Sequence, residues 1–452
     1  MASNEIIIKR STQIIIAAAL GIPLRANLDQ ELEIVEKAEA RGWFTPDEDE
    51  IVRTRYSYYL SSRAALLGAL QQLETSLRNS TNWQDKLPYF ISGFAAACLM
   101  MRGSSFIIEL AKRRPVIWKK LDEAEPRFGL PRKTFTSLHQ AATNRNRLTQ
   151  FRQAVQFYRD HREEIMSYSN DPTFAPIITI LREEEIFLES HYQKIWRRRL
   201  FYRWFSFLRR HRSGYRNIMF QLFRWSGSAI AELHQPGVKP SGAPKRINQE
   251  QRQQLLALAK PGDVFITRHD DAMSNLFLPG FWPHAALHLG EISVLESMLG
   301  NLPPAVRVRF KDVHRFLEAK KDGVMFRRAE ETLAVDACLI LRPPFAQDIL
   351  AQAILRAFTH EGKLYDFLFD FRTADRLACT EVIYRTYHGC AGMEFKLLQK
   401  AGRACIPAEN LIDQLMAAGF QLIASCNVCD PTIHTQQAAH DDLIHSRKNH
   451  ST

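Results

Sequence analysis

The chain has 452 residues, of which 46% are hydrophobic and 24% charged, a balance that excludes a disordered, collagen-like or fibrous protein and allows two or three globular domains. Seven cysteines in this length are too few and too scattered for a disulfide scaffold, so we expect a reducing, cytoplasmic compartment. The net charge of +11 is unevenly placed, because residues 1–250 hold 38 Lys and Arg against 26 Asp and Glu, whereas residues 251–452 hold 22 against 23. The two halves are therefore expected to meet different partners.

Two apolar segments resemble a signal peptide or a membrane-spanning helix. The run from Ile14 to Leu24 is short, is interrupted by Pro23 and is followed by no convincing cleavage site, which favours an uncleaved helix over a signal peptide. The run from Leu87 to Met101 is shorter than the roughly 18–20 residues that span a bilayer, which predicts a buried helix.

Residues 1–233 predict an all-α domain. The acidic residues 47–50 make a favourable first turn for a helix over 51–77. Segments 133–167 and 179–207 are likewise rich in helix formers, and alternating strand patterns are nearly absent.

A basic aromatic segment, residues 194–225, closes this domain. It holds ten Lys and Arg, ten aromatic residues and no Asp or Glu. This composition suits a helix packed within the domain, a peripheral contact with an anionic membrane surface, or a site for nucleic acid. No nucleic-acid-binding motif accompanies it, so we do not expect a nucleic acid partner. Contact with an anionic membrane surface remains one of the alternatives.

Residues 234–248 are rich in proline and glycine and predict a linker. After it, residues 249–429 predict an α+β domain with a mostly antiparallel sheet, and residues 430–452 predict a polar, His-rich tail that is loosely ordered. Within the domain we expect strands at 264–267, 284–289, 292–295, 305–310, 324–328 and 334–341, and helices at 249–258, 345–359, 379–387 and 408–418.

Three residue types used in nucleophilic catalysis stand at the ends of these elements. His284 opens a predicted strand, Glu296 closes the next one, and Cys379 begins a predicted helix. A helix N-terminus and a neighbouring imidazolium both favour a thiolate, and a carboxylate can hold the imidazole in one tautomer. If the two strands form a hairpin, His284 and Glu296 lie side by side, and the backbone N–H of Cys379 can donate to an oxyanion.

At these residues the chain resembles a known family over residues 261–425. The resembling segments are Pro-Gly-Asp-Val, Trp-Pro-His-Ala-Ala-Leu-His-Leu-Gly, Val-Leu-Glu-Ser, Tyr-Asp-Phe and Ala-Cys-Thr-Glu-Val-Ile-Tyr, which begin at 261, 282, 294, 365 and 378. They are similar to the circularly permuted, NlpC-type papain-like cysteine hydrolases of the YiiX/YaeF group, in which the histidine precedes the cysteine. The helical domain lies outside this resemblance.

The resemblance implies a role for each of four residues. Cys379 would be the nucleophile, His284 the base, Glu296 the residue that orients the base, and Tyr365 a stabiliser of the oxyanion. From the residues alone, two alternatives remain open. His288 would face the same side of the strand as His284 and could be the base, and Glu291 could take the role of Glu296.

The implied activity is that of a cysteine hydrolase or acyltransferase that acts through a thioester on an amide or ester bond. The permuted group includes enzymes similar to lecithin:retinol acyltransferase, which implies a lipid or fatty-acyl substrate. Cleavage of peptidoglycan or isopeptide bonds is one alternative, and a non-catalytic, membrane-associated scaffold is another. We expect no cofactor. The spacing of Cys426 and Cys429 and the histidines after them fits no zinc module that we can name, and zinc binding by this pair is left open. The oligomeric state is left open by the sequence.

Overall fold

The computed structural model describes residues 2–24, 28–78, 86–112, 114–191, 244–270, 280–400 and 403–448. These residues form two compact units, one on either side of residues 192–243. The basic aromatic segment 194–225 and most of the predicted linker therefore lie outside the described residues.

The N-terminal unit is helical, as its composition predicts. Acidic residues in the first turn of its longest helix, Asp47 to Asp49, offset the positive end of the helix dipole. Its helices are α1 (Ala2–Ala19), α2 (Leu28–Arg41), α3 (Pro46–Arg78), α4 (Leu87–Lys112), α5 (Pro115–Leu121), α6 (Thr134–Ala142), α7 (Arg145–Asp160), α8 (Arg162–Ser167) and α9 (Ala175–His191).

Helix α4 is the central helix of this unit's hydrophobic core. Among the described helices it alone is long and apolar enough to cross a membrane, over Leu87–Ala111, and 56% of its most apolar window is buried inside the protein. Its buried face, which includes Ile91, Ala95 and Leu99, packs in one core with residues of α1, α3 and α9.

The C-terminal unit is built on a seven-stranded sheet with the order β11-β10-β5-β1-β2-β3-β4, and every neighbouring pair is antiparallel. The strands are β1 (Val264–Arg268), β2 (His284–His288), β3 (His314–Lys320), β4 (Gly323–Arg328), β5 (Ala337–Arg342), β10 (Gln421–Cys426) and β11 (Ile433–Thr435). Two small sheets pair β6 (Leu364–Tyr365) with β7 (Arg376–Leu377), and β8 (Leu398–Lys400) with β9 (Arg403–Cys405).

Helices cover both faces of the large sheet. They are α10 (Gln249–Leu258), α11 (Ile292–Leu299), α12 (Pro304–Arg309), α13 (Ala329–Thr332), α14 (Gln347–Phe358), α15 (Cys379–Tyr387), α16 (Ala408–Ala417) and α17 (Gln436–Lys448). Alternate residues of each strand face opposite sides, so Ala285 and Leu287 join the larger core with α14 and α15, while Phe265 and Ala286 join a smaller core on the other face. The prediction of an α+β fold with an antiparallel sheet is confirmed.

Two predicted strands are helices in the structure. Residues 292–295 belong to α11, in which Ile292, Leu295 and Leu299 recur at helical spacing and pack on the larger core. Residues 305–310 fall largely in α12, which begins at Pro304, a residue well suited to the first helical position. The next strand after β2 in the chain, which pairs with it on the side away from β1, is β3, and the sequence pattern did not predict it.

The predicted tail and linker end are also more ordered than expected. Residues 433–435 add a strand to the sheet and α17 follows it, with Ala439 and Leu443 buried in the larger core. Ile247, near the end of the predicted linker, is buried, and its backbone N–H donates to the carbonyl of Val335 at 3.2 Å. Apolar side chains spaced among polar ones are enough to fix both segments.

Candidate active site

Cys379 is the first residue of α15 and is almost fully buried, with 2% of its surface exposed. Its own N–H lies in the first turn, where a helix has no internal acceptor, and the helix dipole there favours a negative charge. The sulfur lies 4.0 Å from the carbonyl oxygen of Pro283 and is hydrogen-bonded by the backbone N–H groups of Ala285 and Thr380. The segment that leads into β2 therefore runs past the Cys379 sulfur.

His284 connects the cysteine to a carboxylate. Its Nε2 lies 2.7 Å from Oε1 of Glu318, and because a carboxylate accepts, Nε2 carries the proton. The other ring nitrogen, Nδ1, is left for the hydrogen bond between the imidazole and the Cys379 sulfur. The three residues form a Cys-His-Glu series across α15, β2 and β3.

The strand register explains why Glu318 reaches His284. In the β2–β3 pair Leu287 lies opposite Leu317 and His288 lies opposite Phe316. Because side chains alternate along a strand, His284 and Glu318 project from the same face of the sheet. The side chains of neighbouring strands on one face are close enough to interact directly.

Electrostatics favour an ion pair between Cys379 and His284. Burial by itself would raise the pKa of the Cys379 thiol, but the charge and hydrogen bond of His284 lower it below its ordinary value. Burial likewise opposes a charged imidazole, yet the negative Cys379 sulfur and then Glu318 raise the pKa of His284 overall. A thiolate beside an imidazolium is the form in which a cysteine attacks.

The second oxygen of Glu318 has partners of its own. The hydroxyl of Thr332 donates to Oε2 at 2.9 Å, and Nζ of Lys320 lies 3.0 Å from the same oxygen. Although burial opposes the charged form, His284 and Lys320 lower the pKa of Glu318 to about 2. The carboxylate is thus ionised and fixed, with Oε1 aimed at the imidazole.

Glu296, the predicted orienting residue, is placed outside this arrangement, and Glu318 lies beside the imidazole in its stead. It lies on α11, and its side chain, 38% exposed, pairs with Nε of Arg307 at 3.2 Å. The hairpin expected at Gly290 and Glu291 does not form, because residues 292–299 are helical. Glu291 pairs with Arg315 instead.

Tyr365 does lie at the site. It is held on β6 by parallel pairing with Leu377, two residues before Cys379. Its hydroxyl is hydrogen-bonded to the Cys379 sulfur, and burial followed by the negative charges of Cys379 and Asp366 raises its pKa, so the phenol stays protonated. A protonated hydroxyl beside the sulfur can donate to an oxyanion, the role that the resemblance implied.

The structure places His288, the alternative to His284, in the core of the sheet. Its Nδ1 donates to the carbonyl of Lys260 at 2.9 Å, and its ring packs between Phe265 and Phe316. Burial lowers its pKa to about 4, so it is neutral near pH 7. It serves as a core residue.

Cys426 and Cys429 point to different places. Cys426 lies opposite Cys338 in the β5–β10 pair, and the two free thiols are hydrogen-bonded, whereas the exposed Cys429 is hydrogen-bonded to Asp442. In the part of the chain that the structure describes, no group of three or more His, Cys, Asp or Glu side chains is placed to hold a metal ion.

Sequence reasoning missed Glu318, although the sequence carries a signal for it. In the segment Phe316 to Ala319 a single charged residue interrupts a run of apolar ones, and Phe316, Leu317, Glu318 and Ala319 are all buried. An acidic side chain inside a buried strand needs a partner, because an unpaired buried charge is costly.

Cys379 at a helix N-terminus, His284 on a neighbouring strand and Glu318 on the next strand form a Cys-His-Glu arrangement in which the histidine precedes the cysteine in the chain. Residues 258–431 match the model of the permuted papain-like amidase enzymes, the YaeF/YiiX or C92 family, which confirms the resemblance found in the sequence motifs. The matched region contains Cys379, His284 and Glu318 and points to a hydrolase or amidase of the cysteine type. No curated protein and no solved structure matched the chain.

Proposed function

We propose that the C-terminal unit cleaves an amide or ester bond through a thioester on Cys379. The observation that carries the proposal is the hydrogen-bonded series from Cys379 through His284 to Glu318. None of these three residues needs to move far to act, because all of them are held by regular elements of the sheet or by α15.

The proposed reaction has two halves. The Cys379 thiolate attacks the carbonyl carbon, the oxyanion receives hydrogen bonds from the Cys379 N–H and the Tyr365 hydroxyl, and the imidazolium of His284 gives its proton to the leaving amine or alcohol. A water molecule, or an acceptor hydroxyl or amine, then loses a proton to His284 and attacks the thioester, which releases the acyl group and restores the thiolate.

We propose an acyl substrate with an apolar chain, and the supporting features are exposed apolar side chains on the elements that carry the site. Leu364 is 46% exposed, and the Tyr365 and Phe367 rings lie 5.0 Å apart. Met325, 39% exposed, lies opposite Glu318 in the β3–β4 register and therefore on the same face of the sheet. An apolar chain that covers these side chains would bury surface worth about 25 cal/mol per Å².

The test uses intact-mass spectrometry after brief exposure to N-acyl amides and acyl esters of several chain lengths. We expect a mass gain of one acyl group, removed by hydroxylamine and absent in Cys379→Ala, with a rate that rises with chain length. Comparing the products with and without an added amine acceptor separates hydrolysis from acyl transfer. Acylation by muropeptides or isopeptides alone would overturn the acyl-chain proposal, and no thioester from any substrate class would favour the scaffold reading.

We also propose that the basic aromatic segment 194–225 holds the protein on anionic membranes inside the cell. Its ten Lys and Arg without any acidic residue support this, because such clusters are drawn to anionic lipid. Flotation with vesicles that contain phosphatidylserine should recover the wild type, and neutral vesicles should not. Undiminished flotation of the triple variant Arg197/Arg198/Arg199→Glu would contradict the proposal.

A further inference from the structure

The four residues before His284 form a bend whose backbone is held by one carboxylate. Oε1 of Glu409 accepts the N–H of Phe281 at 2.8 Å and the N–H of Trp282 at 3.0 Å. Gly280 has a φ of +96°, and a Cβ there would lie 2.4 Å from Cγ of Glu409. Glycine is therefore needed both for the backbone conformation and for the close approach of Glu409.

The same bend contacts the proposed nucleophile. The carbonyl oxygen of Pro283 lies 4.0 Å from the Cys379 sulfur, and the next residue is His284. A shift of this bend would thus move the imidazole and the carbonyl group relative to the sulfur at once. Displacements of about 1 Å in reacting groups can cost on the order of a hundredfold in rate.

Residues of helix α17 contact both the bend and the Glu409 carboxylate that holds it. Nε of Arg447 lies 2.9 Å from Oε2 of Glu409, and Nη1 of Arg447 lies 2.7 Å from Asp413 on α16. The indole N–H of the fully buried Trp282 donates to the hydroxyl of Ser446 at 3.1 Å. Two adjacent residues of α17 therefore act on the bend, one through Glu409 and one directly.

We propose that Glu409, Arg447 and Ser446 form a positioning clamp that sets His284 against Cys379, so that α17 is needed for the reactivity of the site. The clamp rests on the proposed function, since it acts through His284. Helix α17 lies beyond the residues 258–431 that match the amidase family model, so the match does not account for it. The clamp residues act through the bend, which makes them positioning residues.

The experiment compares the pH profile of Cys379 alkylation by iodoacetamide in the full-length wild type, Arg447→Met and Ser446→Ala, read at the Cys379 peptide by mass spectrometry. Arg307→Met, which breaks the surface pair with Glu296, is the matched control. We expect Arg447→Met to lower the rate at neutral pH about tenfold or more and to move the profile towards that of an ordinary thiol. Ser446→Ala should have a smaller effect in the same direction, and Arg307→Met should match the wild type.

Two Glu409 variants complete the design. Glu409→Gln keeps an oxygen that accepts from Phe281 and Trp282, and should retain most of the reactivity that Glu409→Ala loses. Wild-type profiles in folded Arg447→Met and Ser446→Ala would overturn the clamp and leave the proposed function intact. An ordinary thiol profile in the wild type itself would overturn the proposed function and the clamp together.

Discussion

At the scale of single residues, the reactivity of Cys379 depends on a chain of charges that ends at Lys320. Lys320 and Thr332 fix one oxygen of Glu318, the other oxygen holds His284, and His284 lowers the pKa of the thiol. The partners matter most for Glu318, which is buried, because a buried charge without a partner is unstable.

The distinction between the two glutamates is directly testable. Glu318→Gln removes the charge that stabilises the imidazolium, so kcat/KM for an acyl substrate should fall by roughly two to four orders of magnitude. Glu296→Gln breaks only an exposed pair, worth about 0–1 kcal/mol, and should leave kcat/KM unchanged. Equal losses in the two variants would contradict the assignment of Glu318.

At the scale of elements, the sequence predicted those that carry a strong local signal. The bounds of α15 were predicted to the residue, because an alanine and a cysteine precede an amphipathic run, and β1 follows a clear Pro-Gly turn. The run Ile292 to Leu295 was misread because a short apolar run suits a strand and a buried helix equally. Because of this error, the orienting role was predicted for Glu296, whereas Glu318 is the carboxylate beside His284.

The buried core of the sheet gives a second prediction, on stability. Since burial lowers the pKa of His288 to about 4 while an unfolded histidine titrates near 6.5, the unfolded chain binds more protons between these values. The unfolding free energy should therefore fall as the pH drops from about 6.5 to 4, by at most about 3 kcal/mol for this residue.

The variant His288→Asn checks this, because asparagine can still donate to the Lys260 carbonyl but does not titrate. We expect a flatter dependence of the melting temperature on pH between 6.5 and 4. Part of the pH dependence of the melting temperature should remain in this variant, because burial also lowers the pKa of His269 to about 4. An unchanged slope in His288→Asn would show that His288 is not a source of it.

At the scale of the whole molecule, the chain joins two units with separate hydrophobic cores. Composition alone predicted this contrast, because helix formers dominate one half and turn and strand signals the other. The sequence did not predict that residues 430–448 are well ordered. The buried residues of α17 are few, and this helix is fixed by its tertiary contacts with β10 and Trp282.

The helical unit contains its own buried ion pair, between Arg102 on α4 and Glu184 on α9. Burial raises the pKa of Glu184 to about 7 despite the arginine, so removing the arginine should leave an uncompensated carboxyl group. We expect Arg102→Met to speed hydrogen exchange in peptides from α4 and α9 and to leave Cys379 alkylation unchanged. A large loss of Cys379 reactivity would show that the units are energetically coupled.

The most direct test of the central claim is the pH dependence of Cys379 alkylation in the wild type and in His284→Ala, with Cys429 as an internal reference. Cys429 is an exposed residue, but partial burial of its thiol and the negative charge of Asp442 raise its pKa to about 11. It should therefore react only at high pH. We predict that Cys379 reacts as a thiolate well below about 8.5 in the wild type and loses this shift in His284→Ala. A slow, ordinary profile that is the same in both proteins would contradict the catalytic pair.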